Sequence, residues 1–228
     1  IPPLPPGSIG VFRIVPNQAL EPEKVTSMEV GYRHILGSVS LDITAFQMNF
    51  TKLITQVQKS QQTVIGVPVQ LVVTNQYVNT GDAKDKGLEL ALTWRPDPKW
   101  TCGFNGTWLD YKLDATGTTP TYTPKLKANL WARFTSGSLS AYAAFQHVDE
   151  VDMEVLGISG TGSPLVKRDA INQLNLHLAK TFPGGWGLAV YSRNALKDYT
   201  DQGGGGPTRV AYLMSARRES GLTLSYRF

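Results

Sequence analysis

The stretch KLKANLWARF (residues 125–134) alternates without a break. Leu126, Ala128, Leu130, Ala132 and Phe134 fall on one side of an extended chain, and Lys125, Lys127, Asn129, Trp131 and Arg133 on the other. A helix would scatter these residues around its circumference, so period two over this length predicts a strand with one apolar and one wet face. GLELALTW (87–94) repeats the pattern, with Leu88, Leu90, Leu92 and Trp94 against Glu89, Ala91 and Thr93. NQLNLHLAK (172–180) sets Leu174, Leu176 and Leu178 against Gln173, Asn175 and His177, and GLTLSYRF (221–228) sets Leu222, Leu224, Tyr226 and Phe228 against Thr223, Ser225 and Arg227.

Working outward from these segments, the pattern predicts about nine strands, at 26–35, 38–56, 77–96, 99–113, 122–135, 138–150, 169–182, 186–198 and 217–228. The connections alternate in length. Those at 35–38, 96–99, 136–138 and 183–185 are tight, while those at 57–76, 114–121, 151–168 and 199–217 are long and rich in Gly, Thr, Asp and Pro. Short turns at one end and long loops at the other define an antiparallel meander with the layout of a transmembrane β-barrel. Trp94, Trp100, Phe134, Phe182, Trp186 and Phe228 gather at the short-turn end, as an aromatic girdle at a membrane interface requires. An odd strand count does not close a single-chain bacterial barrel, so the expected fold is all-β and partial, the C-terminal part of a larger barrel. Residues 1–25, rich in proline and without a period, are expected to form an irregular loop or linker before a barrel region over 26–228. Within the first long connection, TVIGVPVQLVV (63–73) is a candidate hairpin arm.

Composition agrees. The 228 residues are 41% hydrophobic and 18% charged, below the ~25% usual in soluble domains. The net charge of +4 is spread singly along strands, so the sequence predicts no nucleic-acid partner. One cysteine, Cys102, rules out an intramolecular disulfide framework and a Cys-based zinc cluster. No apolar run approaches the ~20 residues of a membrane helix, a test that alternating strands escape. The chain opens at Ile1 with neither a basic nor an apolar leader region, which places any signal peptide outside it.

Several segments resemble the C-terminal barrel of TonB-dependent outer-membrane receptors. LEPEKVTSMEVGYR (20–33) followed by LDITAFQMNF (41–50) resembles that family's Leu-x-Pro-Glu…Glu-x-Gly strand and its partner. YVNTGDAKDKGLELALTWRP (77–96) resembles its Asn-x-Gly-x-Ala…Gly-x-Glu strand, and YTPKLKANLWARF (122–134) a strand near the third hairpin from the end. NALKDY (194–199), a Gly-rich loop and LTLSYRF (222–228) are similar to the family's terminal motif and closing aromatic strand. The resemblance implies a barrel of about 22 strands filled by an N-terminal plug. It further implies a bacterial outer-membrane location, active transport of an iron–siderophore or similar scarce nutrient, and coupling to a TonB-type protein through an N-terminus outside this chain. The expected partners are outer-membrane lipid, the plug, the energy-coupling protein and a small nutrient ligand. Glu29, Arg33, Asp42, Glu89, Arg95, Lys125, Lys127, Arg133, Arg193 and Arg227 would face the wet interior, since facing lipid would be very costly.

No catalytic, cofactor-binding or metal site is predicted. HVDEVDME (147–154) places Asp149, Glu150, Asp152 and Glu154 after His147, but it lacks the spacing of a calcium loop and reads as a solvated loop edge. GGGGP (203–207) lacks the Gly-Lys-Ser/Thr ending of a phosphate cradle, and GISGTGS (157–163) lacks a nucleophile elbow. Ligand contacts, where this chain makes them, are expected on loops 114–121, 151–168 and 199–217. The alternative reading is a soluble secreted β-sandwich binding module, whose polar face would be its solvent face.

Overall fold

The computed structural model describes residues 7–154, 165–196 and 217–228, and every regular element among them is a strand. In chain order these are β1 (Ile9–Val15), β2 (Lys24–Leu36), β3 (Val39–Thr51), β4 (Ile54–Val64), β5 (Gln70–Asn79), β6 (Ala83–Trp94), β7 (Trp100–Leu113), β8 (Leu126–Ser136), β9 (Leu139–Val148), β10 (Val151–Glu154), β11 (Leu165–Arg168), β12 (Ile171–Thr181), β13 (Trp186–Arg193) and β14 (Glu219–Tyr226).

Nine of them make one antiparallel sheet in the order β14-β13-β12-β9-β8-β7-β6-β3-β2, the expected meander. Its tight turns are chemically specified. Gly37 and Gly137 adopt positive φ, 54° and 55°, which a two-residue hairpin turn demands and which glycine supplies at no steric cost. Between β6 and β7, Asp97 Oδ1 accepts from the backbone N–H of Lys99 at 2.7 Å and of Trp100 at 3.1 Å.

The long connections hold structure of their own. Residues 54–79, expected partly as strand ends and partly as a loop, form the β4–β5 hairpin. The strands expected over 38–56 and 77–96 are therefore each interrupted. Lys52 turns the first at φ 58° and Gly81 the second at φ 126°. Main-chain bonds Leu53 N–H to Gly81 O (2.7 Å) and Thr80 N–H to Leu53 O (2.9 Å) bridge the break. The segment expected as irregular, 1–25, contains β1, which adds to β5 in parallel from Ile9↔Gln70 to Val15↔Gln76. Its run IGVFRIV is β-branched and aromatic, and it pairs the otherwise open row of β5 polar groups. Between β9 and β12, β10 and β11 form a second small hairpin.

Register assigns the faces, because directly opposed residues share one. Leu130 lies opposite Phe104 and Phe145; Leu176 lies opposite Ala143 and Ser192; Val190 lies opposite Leu222. The other face carries seven of the ten charged residues expected on it, Glu29, Arg33, Asp42, Glu89, Lys127, Arg133 and Arg193, with Arg33 opposite Asp42 and Glu89 opposite Thr44 and Thr107; Arg95, Lys125 and Arg227 lie beyond the paired register. The apolar face is bare: Val30, Leu130, Leu176, Leu222 and Leu224 expose 41–76% of their surface. Only six hydrophobic residues are buried among the described residues, and none of the large side chains is fully buried. A sheet of this size without a core under it excludes the sandwich alternative, in which two inner faces interdigitate. At the short-turn end, Trp100 packs on Phe134 (4.9 Å between centroids), Trp186 on Tyr226 (4.8 Å) and Tyr226 on Phe228 (5.0 Å).

β2 and β14 each have one neighbour in the sheet, so two rows of main-chain polar groups lie open. Open edges are not tolerated in hydrocarbon. The chain expressed alone is expected to give no compact, heat-modifiable, protease-resistant monomer in detergent, as judged by gel mobility before and after boiling. In the intact receptor that carries this chain, Leu176→Arg should cost about 2–4 kcal/mol and deplete folded barrel in the membrane. His177→Arg, one residue along on the polar face between Tyr142 and Tyr191, should leave that level nearly unchanged.

Candidate functional site

At the long-connection end of the polar face, β7, β8 and β9 run on into segments that fold over the lumen side. Leu113 N–H donates to Thr118 O (3.0 Å) within connection 114–125, Asp149 N–H to Leu126 O (2.9 Å) beyond the end of β9, and Tyr122 N–H to Asp152 O (2.8 Å), the bond that ties the connection to β10. An open cavity of about 920 Å³ lies between that connection, the start of β4 and the β10–β11 hairpin. Tyr111, stacked on Phe50 at 5.8 Å, contributes an aromatic wall, and threonines 55, 118, 119, 121 and 123 supply hydroxyls. Lys125 and Lys167 oppose Asp149, Glu150 and Asp152 around it.

The acidic run does not converge on a cation. Glu150 Oε1 takes Lys167 Nζ at 2.5 Å, and this hydrogen bond, reinforced by its charge, holds the Lys167 ammonium above its ordinary pKa. Asp149 Oδ1 lies 3.3 Å from His147 Nε2, whose Nδ1 is 2.8 Å from Asn172 Oδ1. Among the described residues no group of three or more His, Cys, Asp or Glu side chains forms a metal-holding set. The side chain of Glu154, and the segments GISGTGS and GGGGP, lie outside the described residues. The cavity is shaped and polar enough to hold a small molecule by hydrogen bonds and aromatic contact.

Of the loops expected to meet ligand, 114–121 and the described part of 151–168 border this cavity; 199–216 lies outside the described residues. Leu53, Ile54 and Thr55 border it too, unforeseen because they read as strand interior. They reach it through the turn at Lys52, a residue type that carries no signal for positive φ.

Further down the same face is a polar recess of about 450 Å³. Arg33 Nε and Nη2 reach Asp42 Oδ2 at 2.7 and 2.5 Å, with Glu89, Asn105 and Thr107 beside them. Elsewhere on this face the wall is surfaced by rings laid over glycines. Trp131 covers Gly103, Phe46 covers Gly87 and Tyr191 covers Gly221, each pair directly opposed across two strands. A Cβ built on Gly103 would sit 2.4 Å from the Trp131 ring. Cys102, on the apolar face opposite Trp94 and Ala132, is a free, half-buried thiol.

An antiparallel meander with one bare apolar face, an aromatic girdle and one polar face is the wall of a transmembrane β-barrel. The chain belongs to the family described as TonB dependent receptor-like, beta-barrel, which matches residues 3–213. No curated protein matches it by sequence. Among solved structures it is similar to a ferric enterobactin receptor from Pseudomonas aeruginosa (TM-score 0.67, 16% identity), covering 93% of this chain and 32% of that one. It is also similar to the siderophore receptor PirA from Acinetobacter baumannii (0.65, 16%; 92% and 32%) and to the copper transporter OprC (0.64, 17%; 92% and 33%). The chain thus spans about a third of each of these proteins.

The ring-on-glycine joint makes a specific expectation. In the intact receptor Gly103→Val should lower folded barrel, because the Trp131 ring has nowhere to go but into the lumen. Adding Trp131→Ala should restore part of the loss, a non-additivity that a quantitative gel-shift series measures.

Proposed function

We propose that this chain forms part of the wall and outer vestibule of an active-transport receptor in the bacterial outer membrane. Its cargo in this reading is an iron–siderophore or similarly scarce nutrient. The long-connection end faces outside the cell, and the cavity beside Tyr111, Thr121 and Lys167 is where ligand first meets this part of the wall. The polar inner face supports an N-terminal plug, moved by a TonB-type energy-coupling protein; barrels of this class are wide enough to need one. The chain has no enzymatic role in this reading.

The observation that carries the proposal is the inside-out distribution of one sheet: leucines bare on one side, charges such as Glu89 on the other, and a polar cavity at its long-connection end. Family membership supports the transport reading, and the three similar structures are of proteins named for siderophores or copper.

Two measurements test it. Tags inserted at Gly66 or Gly117 of the intact receptor should be labelled on whole cells, and one at Gly137 only after the outer membrane is opened; the reverse pattern overturns the orientation. Cells carrying the receptor should accumulate labelled iron from at least one member of a ferric-siderophore panel, and deletion of the energy-coupling protein should abolish that accumulation. Accumulation that survives the deletion overturns active transport.

A further inference from the structure

The apolar face ends abruptly on β6 and β7. Going towards the long connections, the opposed pairs are Leu92↔Phe104, Leu90↔Gly106 and Leu88↔Trp108, and then Lys86↔Asp110 and Lys84↔Lys112. One step along the pleat, about 7 Å, separates the last apolar pair from the first charged one. Trp108, an amphipathic ring at that boundary, marks the level where hydrocarbon gives way to headgroups. Elsewhere on this rim the same face carries no lysine at corresponding steps: Gln47 and Asn49 stand on β3, Thr26 on β2, His147 opposite Asn172 on β9 and β12, Ser192 on β13 and Ser220 on β14.

The three lysines are not balanced by the acids near them. Asp110 is shared: its Oδ2 lies 3.4 Å from Lys86 Nζ and its Oδ1 3.4 Å from Lys112 Nζ. Lys84 is directly opposite Lys112, and like charges so placed repel and destabilise a sheet. Among the described residues Lys84 makes no ion pair. Asp82 and Asp114 come one step further from the apolar band. Asp82 Oδ1 accepts the backbone N–H of Lys52 at 3.0 Å, and Asp114 donates its N–H to the Asp82 carbonyl at 2.9 Å. Neither carboxylate stands within ion-pair distance of a lysine among the described residues. An anion between Lys84 and Lys112 would relieve the repulsion that the register builds in.

We propose that Lys84, Lys86 and Lys112 form an exterior site for the phosphate group of an anionic lipid in the surrounding outer leaflet, seated between Lys84 and Lys112. The depth fits, because lipid phosphates lie just above the hydrocarbon, where the lysine stems run along apolar surface and their ammoniums reach upward. The chemistry fits, because a compact ammonium is a strong point-charge partner for phosphate. Asp110 positions two of the three ammoniums, and the apolar column below accepts the acyl chains. This inference rests on the outer-membrane reading above.

The test uses the intact receptor, purified in neutral detergent and shown to be folded by heat-modifiability. Native mass spectrometry measures retention in mixed micelles with bis-phosphorylated lipid A, with the same lipid after enzymatic dephosphorylation, and with inorganic phosphate alone. Phosphorylated lipid should be retained and the other two should not. The double variant Lys84→Gln with Lys112→Gln should weaken retention about thirtyfold, from the usual contribution of a basic residue at an anionic surface. Lys84→Arg with Lys112→Arg should preserve it, and Lys127→Gln with Arg133→Gln, an equal charge loss on the inner face, should have no effect. Equal retention by the Gln double variant overturns the proposal, as does equal binding of dephosphorylated lipid or of free phosphate. Fractionation of the same cells separates the two readings: a receptor found outside the outer membrane defeats the transport reading, while the micelle titration still decides the lysine site.

Discussion

Backbone pairing in a medium without water is the constraint from which the other features follow. Inside hydrocarbon each peptide group must find its partner within the protein, at a cost of several kcal/mol for each that does not. A meander meets this strand by strand, each ladder running from turn to turn, as β7 and β8 do from Trp100↔Phe134 to Trp108↔Leu126. Once the main chain is satisfied laterally, no second layer is needed to bury it. Hydrophobic side chains are then free to point away from the protein, and the six buried apolar residues of the described structure are what remains of a core.

Packing is therefore relocated, not abolished. On the polar face, rings from one strand lie flat over glycines of the next, as Trp131 does on Gly103 and Tyr191 on Gly221. Each joint pins the register between two strands, since a slip of one residue would drive the ring into a side chain on the wrong face. Ring and glycine together keep the inner surface low while still giving neighbouring strands something to grip. The paired ions play a smaller part: Arg33 and Asp42 are both substantially exposed, so their contact contributes little beyond orientation.

The wall was legible because its alternation is strict and its turns are chemically explicit. KLKANLWARF, GLELALTW and NQLNLHLAK name their own faces, and Gly37 and Gly137 mark the hairpins between strands. The outer architecture was less so. Ile9–Val15 joins β5, some sixty residues away, in parallel, and nothing local in a proline-flanked segment announces a distant partner. Lys52 bends the chain at positive φ, where sequence reasoning looks for glycine or asparagine, so β3 and the first residues of β4 read as one strand and the rest of β4 as loop. The cavity was half legible for the same reason: its loop residues stood out as loops, whereas Leu53–Thr55 and Tyr111 looked like ordinary strand.

The break at Lys52 and Gly81 divides one long hairpin into two, joined across the break by a pair of main-chain bonds and a few side-chain bonds. Below it, register is locked from Leu36↔Val39 upward, and one inserted residue would swap the two faces of everything that follows. Above it, β4 already tolerates a bulge between Gln58 and Ser60, and its tip carries Ile65 and Val67 fully in the open. Surface change is thereby uncoupled from the membrane-facing alternation. A lineage of such chains can redraw this hairpin repeatedly while inheriting the wall unchanged.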